Sequence, residues 1–161
     1  VSTVIKVGMA DLKTCKYPDR LTTLGLGSCV GIVLYDPITK IGGLAHAMLP
    51  DSKLINNNQN IAKFVDTGSK KLLDDMIRLG ANKNRIRAKL AGGAQMFKFD
   101  TSSDLMKIGY RNAQAAKANL AELGITIVAE DTGENYGRTI ELNTENGDLI
   151  VKSIGKGIKT I

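Results

Sequence analysis

A single-domain layered α/β sandwich, with a mixed β-sheet and two main helices, is the fold this sequence predicts, and three observations carry it. Short apolar runs of strand length recur along the chain, bounded by turn residues. Two longer segments, 64–79 and 110–123, repeat their apolar or alanine-rich positions at helical spacing, and a glycine follows each. Apolar residues make up 43% of the chain with 4% aromatic and no Trp, so the core must be built from Ile, Val, Leu and Ala. Taken as one domain over 1–161, the chain is long enough to bury about two-thirds of the surface its unfolded form exposes.

Val4 to Met9 and Leu12 to Cys15 read as short strands. Cys29 to Tyr35 is almost continuously apolar, the pattern of a strand buried on both faces. Asp36-Pro37 then supplies a turn, and Ile41 to Leu49 is the returning strand of a hairpin. Pairing around Pro37 to Lys40 sets position 29 opposite about 48, which makes 46 a near neighbour of 29 in the ladder. The polar run Asp51 to Asn60 reads as an exposed loop after the second strand, bordering an entrance to whatever lies there.

From Phe64 to Leu79, the positions Val65, Leu72, Met76 and Leu79, with Leu73 and Ile77 beside them, form a core-facing helical stripe that Gly80 stops. Ile86 to Leu90 is a strand running into Gly92-Gly93, Tyr110 to Leu123 is an alanine-rich helix ended by Gly124, and Ile125 to Ala129 reads as a buried strand. Arg138 to Asn143 and Asp148 to Ser153 pair across Asn146-Gly147, the strongest short hairpin signal present.

The net charge of +6 is spread along the chain without interleaved aromatics, so a nucleic-acid surface is not indicated; an acidic protein partner or a solvated surface explains the charge better. No stretch approaches the ~18 apolar residues of a membrane span, and the N-terminal residues lack a signal peptide's apolar block, so a cytoplasmic protein is expected. In that reducing compartment the two cysteines are expected to be free thiols, with Cys15, set between Thr14 and Lys16, incidental.

Cys29 closes the glycine-rich run Gly25-Leu26-Gly27-Ser28, and His46 is the only histidine. A thiol becomes a strong nucleophile as its thiolate, and a nearby imidazole is a common way to produce one. Glycines let backbone approach a substrate closely, and N–H groups of the Gly27 to Cys29 segment are placed to face a developing oxyanion. By residue type alone, Cys29 fits a small buried hydrophobe better than a nucleophile, and His46 fits a core histidine bonded to a carbonyl.

The stretch Leu21 to Pro50, together with Ala91-Gly92-Gly93-Ala94, Met96-Phe97, Ile108-Gly109, Arg111-Asn112, Glu130-Asp131-Thr132-Gly133 and Gly137-Arg138, resembles the CheD family of bacterial chemoreceptor glutamine deamidases. The resemblance reverses both readings. It implies Cys29 as nucleophile, His46 as its base and Thr23 as the group orienting the imidazole. It places Gly92 and Gly93 along the substrate cleft, and the reaction it implies needs oxyanion donors, a task that falls to the backbone at Gly27 and Ser28. It further implies no cofactor and no metal, chemoreceptor cytoplasmic domains and the phosphatase CheC as partners, and a fold similar to the catalytic domains of cytotoxic necrotizing factors. Alternatives of the same chemistry are a receptor methylesterase or another cysteine amidase; an alternative of another class is a regulatory module that docks on receptors and CheC. One departure from the family run is Glu134-Asn135-Tyr136, where a second glycine is common.

Competing motifs are weak. Asp131-Thr132-Gly133 is the aspartic-protease triplet, but those enzymes need a matched second aspartate. Gly25-Leu26-Gly27 has its third glycine one position late, at Gly31, for a dinucleotide fingerprint. One histidine and two cysteines make no structural zinc set. Met96 and Phe97 taken singly read as residues of a packed turn.

Overall fold

The structure, a computed structural model, describes residues 2–96 and 107–161. In chain order it holds β1 (Val4–Lys6), β2 (Asp11–Lys16), β3 (Arg20–Leu26), β4 (Val30–Asp36), β5 (Ile41–Ala47), α1 (Val65–Leu79), β6 (Arg87–Gly92), α2 (Ile108–Glu122), β7 (Thr126–Thr132), β8 (Arg138–Leu142), β9 (Leu149–Ser153) and β10 (Gly157–Thr160). The layered α/β expectation holds, with one correction. The strands form two five-stranded sheets rather than one, ordered β1-β3-β8-β9-β10 and β2-β5-β4-β6-β7. Both are mixed, since β1 runs parallel to β3 and β6 parallel to β7 among otherwise antiparallel pairs.

The β2-β5-β4-β6-β7 sheet is the middle layer. Along β4, Val30, Ile32 and Leu34 pack with Leu72, Leu73 and Met76 of α1 and Ala116 and Leu120 of α2. The alternate positions Cys29 and Val33 pack with Leu21, Leu26, Ile140, Leu142 and Val151 of the other sheet. The two-residue period of a strand therefore divides the apolar run between two cores, and all seven residues of β4 are buried. Each fully buried Leu, Ile or Val there contributes about 1.5–3 kcal/mol relative to exposure.

The hairpin register matches the sequence expectation: Val30 faces Ala47 and Gly31 faces His46, a ladder that continued one step sets 29 against 48. Three other expectations need correction. The α1 stripe is buried at Val65, Gly68, Ser69, Leu72, Leu73 and Met76, whereas Leu79 and Ile77 are exposed, because the stripe runs off the sheet as the helix ends at Gly80. The strand read as buried over 125–129 is β7, an edge strand with alternating burial and Val128 exposed, since only β6 flanks it. Ser52, within the stretch read as an exposed loop, is buried because its N–H and hydroxyl both donate to the Asp66 carboxylate of α1.

Strands β3 and β10 escape the sequence reading. β3 carries the glycine-rich run, whose look is that of a loop, but Leu21 and Thr23 alternate inward and a register shift between Thr23 and Leu26 absorbs the irregularity. That alternation is the signal available in the sequence. β10 is exposed at every residue, so it has no apolar pattern to read.

Candidate functional site: a thiol and an imidazole at the seam of two sheets

Cys29 sits immediately before β4, and His46 near the end of β5, both on the face of the middle sheet that meets the other sheet. With Gly31 directly opposite His46, Cys29 and His46 are diagonal neighbours, which in an antiparallel ladder stand about 7–8 Å apart at Cα. The position opposite the histidine is tightly packed: a Cβ on Gly31 would come within 2.9 Å of Ile140 Cδ1 and 3.1 Å of Leu26 Cδ1, so those side-chain ends would have to shift to admit one. The two sheets thus close tightly beside the imidazole.

Thr23, from β3 of the facing sheet, is buried, and its Oγ1 lies 2.7 Å from His46 Nδ1 and 2.7 Å from the Val7 carbonyl oxygen. The carbonyl only accepts, and the hydroxyl has one proton. Both contacts are hydrogen bonds only when Thr23 donates to Val7 and Nδ1–H donates to Thr23. That arrangement leaves the neutral imidazole with its lone pair on Nε2, which is buried and has no hydrogen-bond partner among the described residues. The Cys29 sulfur is therefore aligned with the imidazole by position but not hydrogen-bonded to it. His46 is 1% exposed and Cys29 8%, so both residues are buried and Cys29 is the more accessible of the two.

Burial raises the Cys29 thiol above its ordinary value of 9.0, with its own backbone N–H acting the other way, and burial lowers His46 below 6.5. Both shifts favour the neutral thiol and neutral imidazole at rest. Cys15 is different: buried, with its sulfur 3.6 Å from the Asp19 carbonyl oxygen, its thiol is pushed up to about 12 by burial and the Asp19 charge. Both cysteines are free.

The segment around Cys29 is held by backbone. Gly93 N–H donates to Cys29 O at 2.8 Å, and Ala94 N–H donates to Gly27 O at 2.9 Å. Gly92 has φ +100, and a Cβ there would collide with the Cys29 carbonyl, so this turn can hug the cysteine only as glycine. Gly27 and Ser28 are half-buried, and Met96 lies over Gly27 at contact distance. Gly93 also lines a cavity of about 370 Å³ with Gln95, Tyr110, Gln114 and Lys117. Phe97, read from sequence beside Met96, lies outside the described residues.

Two residues that sequence reasoning gave no chemistry support this turn. Arg138 is fully buried, donates to the Gly133 carbonyl at 3.0 Å and lies 3.3 Å from the Asp131 carboxylate. Lys159 reaches the same carboxylate at 3.3 Å, so Asp131 is the anion of a structural ion pair and not half of an acid dyad. Asn112 of α2 is the other; its Nδ2 donates to the carbonyls of Ser28 at 3.0 Å and Met48 at 2.9 Å. The only sequence signal for either was its membership in a motif.

Fold and site together define a two-sheet α/β domain with a cysteine, a histidine and a threonine gathered at one seam. The chain belongs to the CheD family: the model described as CheD chemotactic sensory transduction matches residues 48–153. A probable chemoreceptor glutamine deamidase CheD of Caldanaerobacter subterraneus is 59% identical over 99% of this chain and 99% of its own, and one of Lachnoclostridium phytofermentans is 57% identical over 98% of each. The chemoreceptor glutamine deamidase CheD of Bacillus licheniformis is 47% identical over 99% of this chain and 96% of its own. Among solved structures, the Bacillus licheniformis hypothetical protein YfiH aligns with a TM-score of 0.45 at 20% identity, over 70% of this chain and 46% of that one, too slight a likeness to carry an argument.

Proposed function

We propose that residues 1–161 form one deamidase domain that converts specific chemoreceptor glutamines to glutamate, with Cys29 as nucleophile, His46 as general base and acid, and Thr23 as the group that fixes the imidazole. The observation that carries the reading is the pinned tautomer: Nδ1 is occupied by Thr23, and Nε2 is left free on the side of the sheet that Cys29 shares. Its family supports the substrate, since the relatives above are named for that activity.

A glutamine amide is a poor electrophile with a poor leaving group, so the site must supply both a strong nucleophile and a proton. The neutral resting pair suits this chemistry. His46 Nε2 takes the Cys29 proton as the sulfur bonds to the side-chain amide carbon, giving a tetrahedral oxyanion beside the Gly27 to Cys29 backbone. As the C–N bond breaks, Nε2 returns the proton to the departing nitrogen, and ammonia leaves a thioester on Cys29. Water, giving its proton to Nε2, attacks the thioester; the sulfur leaves and recovers that proton, and glutamate is released.

The domain works in the cytoplasm, where receptor signalling helices lie, and takes CheC as a second partner; no described helix is long and apolar enough to cross a membrane. Gly92 and Gly93 border the cleft, and the fold is similar to that of cytotoxic necrotizing factor catalytic domains.

The experiment is mass spectrometry of a receptor cytoplasmic fragment incubated with the wild type or Cys29→Ala, beside ammonia release from free glutamine. Wild type is expected to convert glutamines in the fragment, free glutamine to turn over poorly, and Cys29→Ala to do neither. Conversion by purified Cys29→Ala removes the nucleophile assignment. Free glutamine processed as well as the fragment makes the protein a small-molecule amidase, because remote contacts with the receptor would then contribute nothing to the chemical step.

A further inference from the structure

Asn112 is a polar residue at a core position of a helix. It lies in the middle of α2's buried face, with Gly109, Ala113, Ala116 and Leu120, and is itself 0% exposed. Asparagine is a weak helix former, and an amide in such a place is unfavourable unless its donors are used. Both protons of its Nδ2 have acceptors, and the acceptors lie on two different segments. One is the carbonyl of Ser28, directly before Cys29; the other is the carbonyl of Met48, two residues beyond His46.

Backbone pairing explains why such a bridge matters there. The β4–β5 ladder ends at Val30 and Ala47. Beyond that point the two segments part: the Cys29 carbonyl is taken by Gly93 N–H and the Gly27 carbonyl by Ala94 N–H, while Met48 N–H and Leu49 N–H both donate to the Lys63 carbonyl. The cysteine segment is thereby drawn toward the glycine turn and the histidine strand toward the start of α1. Asn112 spans the open end. α2 reaches in far enough because residue 109 is glycine, where a Cβ would collide with the Ala94 carbonyl.

We propose that Asn112 is a positioning residue for the Cys29–His46 pair: by bridging the Ser28 and Met48 carbonyls it sets how far the cysteine segment opens from the histidine strand. The inference rests on the reading of Cys29 and His46 given above. Asn112 touches neither the thiol nor the imidazole by a hydrogen bond, so its effect falls on the chemical step and on the communication between the two groups, not on receptor binding.

The test uses the full chain with Asn112→Ala and Asn112→Ser, the second keeping one donor in no more room. In folded Asn112→Ala, recognised by a Cys15 that still resists alkylation, kcat on a receptor fragment is expected to fall about a hundredfold with KM nearly unchanged, as a displacement of order 1 Å does. Asn112→Ser should lie between it and wild type. Because His46 is the only histidine, its NMR titration is read without ambiguity. Replacing Cys29 by serine should move that titration in the wild-type background and leave it unmoved in Asn112→Ala.

A folded Asn112→Ala with wild-type kcat, or a loss confined to KM, overturns the proposal. If Asn112→Ala does not fold, Asn112→Ser carries the same comparison, and wild-type kcat there is equally fatal. The two readings fail separately: an active Cys29→Ala removes the nucleophile whatever Asn112 does, whereas an inactive Cys29→Ala beside fully active Asn112 variants removes only the positioning.

Discussion

The hydroxyl of Thr23 and the imidazole of His46 come from different sheets and meet at 2.7 Å across the seam between them. Since the same hydroxyl donates to the Val7 carbonyl, the packing of one sheet on the other decides which imidazole nitrogen carries the proton. The reactivity of Nε2 is thus a property of the sandwich and not of the strand that bears His46.

Removing the proposed base should be nearly as costly as removing the proposed nucleophile. His46→Ala is expected to abolish deamidation of a receptor fragment, and the double variant with Cys29→Ala should be little worse than either single one, because groups acting as a unit are strongly non-additive. Thr23→Val, which keeps the shape and loses the hydroxyl, should cost less than His46→Ala, about ten- to a hundredfold by analogy with groups that orient metal-bound histidines, because it sets geometry and does not take the proton. Losses at 29 and 46 that multiply would mean that the two residues do not share a step.

The acid limb of kcat/KM should fall below 6.5. Burial lowers the His46 pKa from that value, so the neutral base persists to lower pH than in a free imidazole. Stability has the matching sign. The unfolded chain takes up the imidazole proton as pH drops below 6.5 and the folded chain does not until its lower value, so this group's share of stability declines through that window on acidification. A pH–rate profile on a receptor fragment and melting curves over the same range measure both; an acid limb above 6.5 contradicts the burial argument.

Iodoacetamide near neutral pH should label Cys29 ahead of Cys15. Both thiols are raised, but Cys15 reaches about 12 and has a neighbouring carboxylate, while Cys29 has a backbone N–H favouring its thiolate. Peptide mapping after limited labelling gives the ratio. Equal or reversed labelling would show that the Cys29 sulfur is closed off in the free enzyme.

Glu134→Gly should stabilise the fold by about 0.5–1 kcal/mol, because Glu134 has φ +59, where a Cβ is strained and glycine is not. Its backbone carbonyl accepts from Gln95 N–H, a bond the substitution keeps. Thermal unfolding would register a rise of about 1–4 °C for a chain of this size. A lowered midpoint would mean that the glutamate side chain contributes more than its backbone costs.

The sequence by itself located the hairpin that carries Cys29 and His46 and set position 29 opposite about 48, because the turn at Asp36-Pro37 separates two apolar strands; strands buried on both faces do not fix the register, which the folded ladder supplied. It also located α1, α2 and the β8–β9 hairpin, whose signals are local. Motif resemblance supplied Thr23, and nothing in its own neighbourhood did. Tertiary structure decided the rest. It split the strands into two sheets, since a strand buried on both faces does not say whether helix or sheet covers each one. It turned β7 into an exposed edge, and it made Asp131 the partner of Arg138. It also placed Asn112 across the end of the β4–β5 ladder, 84 residues along the chain from the carbonyl of Ser28 and 64 from that of Met48. Hydrogen bonds between residues so distant leave no periodicity in a sequence; they exist only once the layers have closed and a buried donor must find an acceptor.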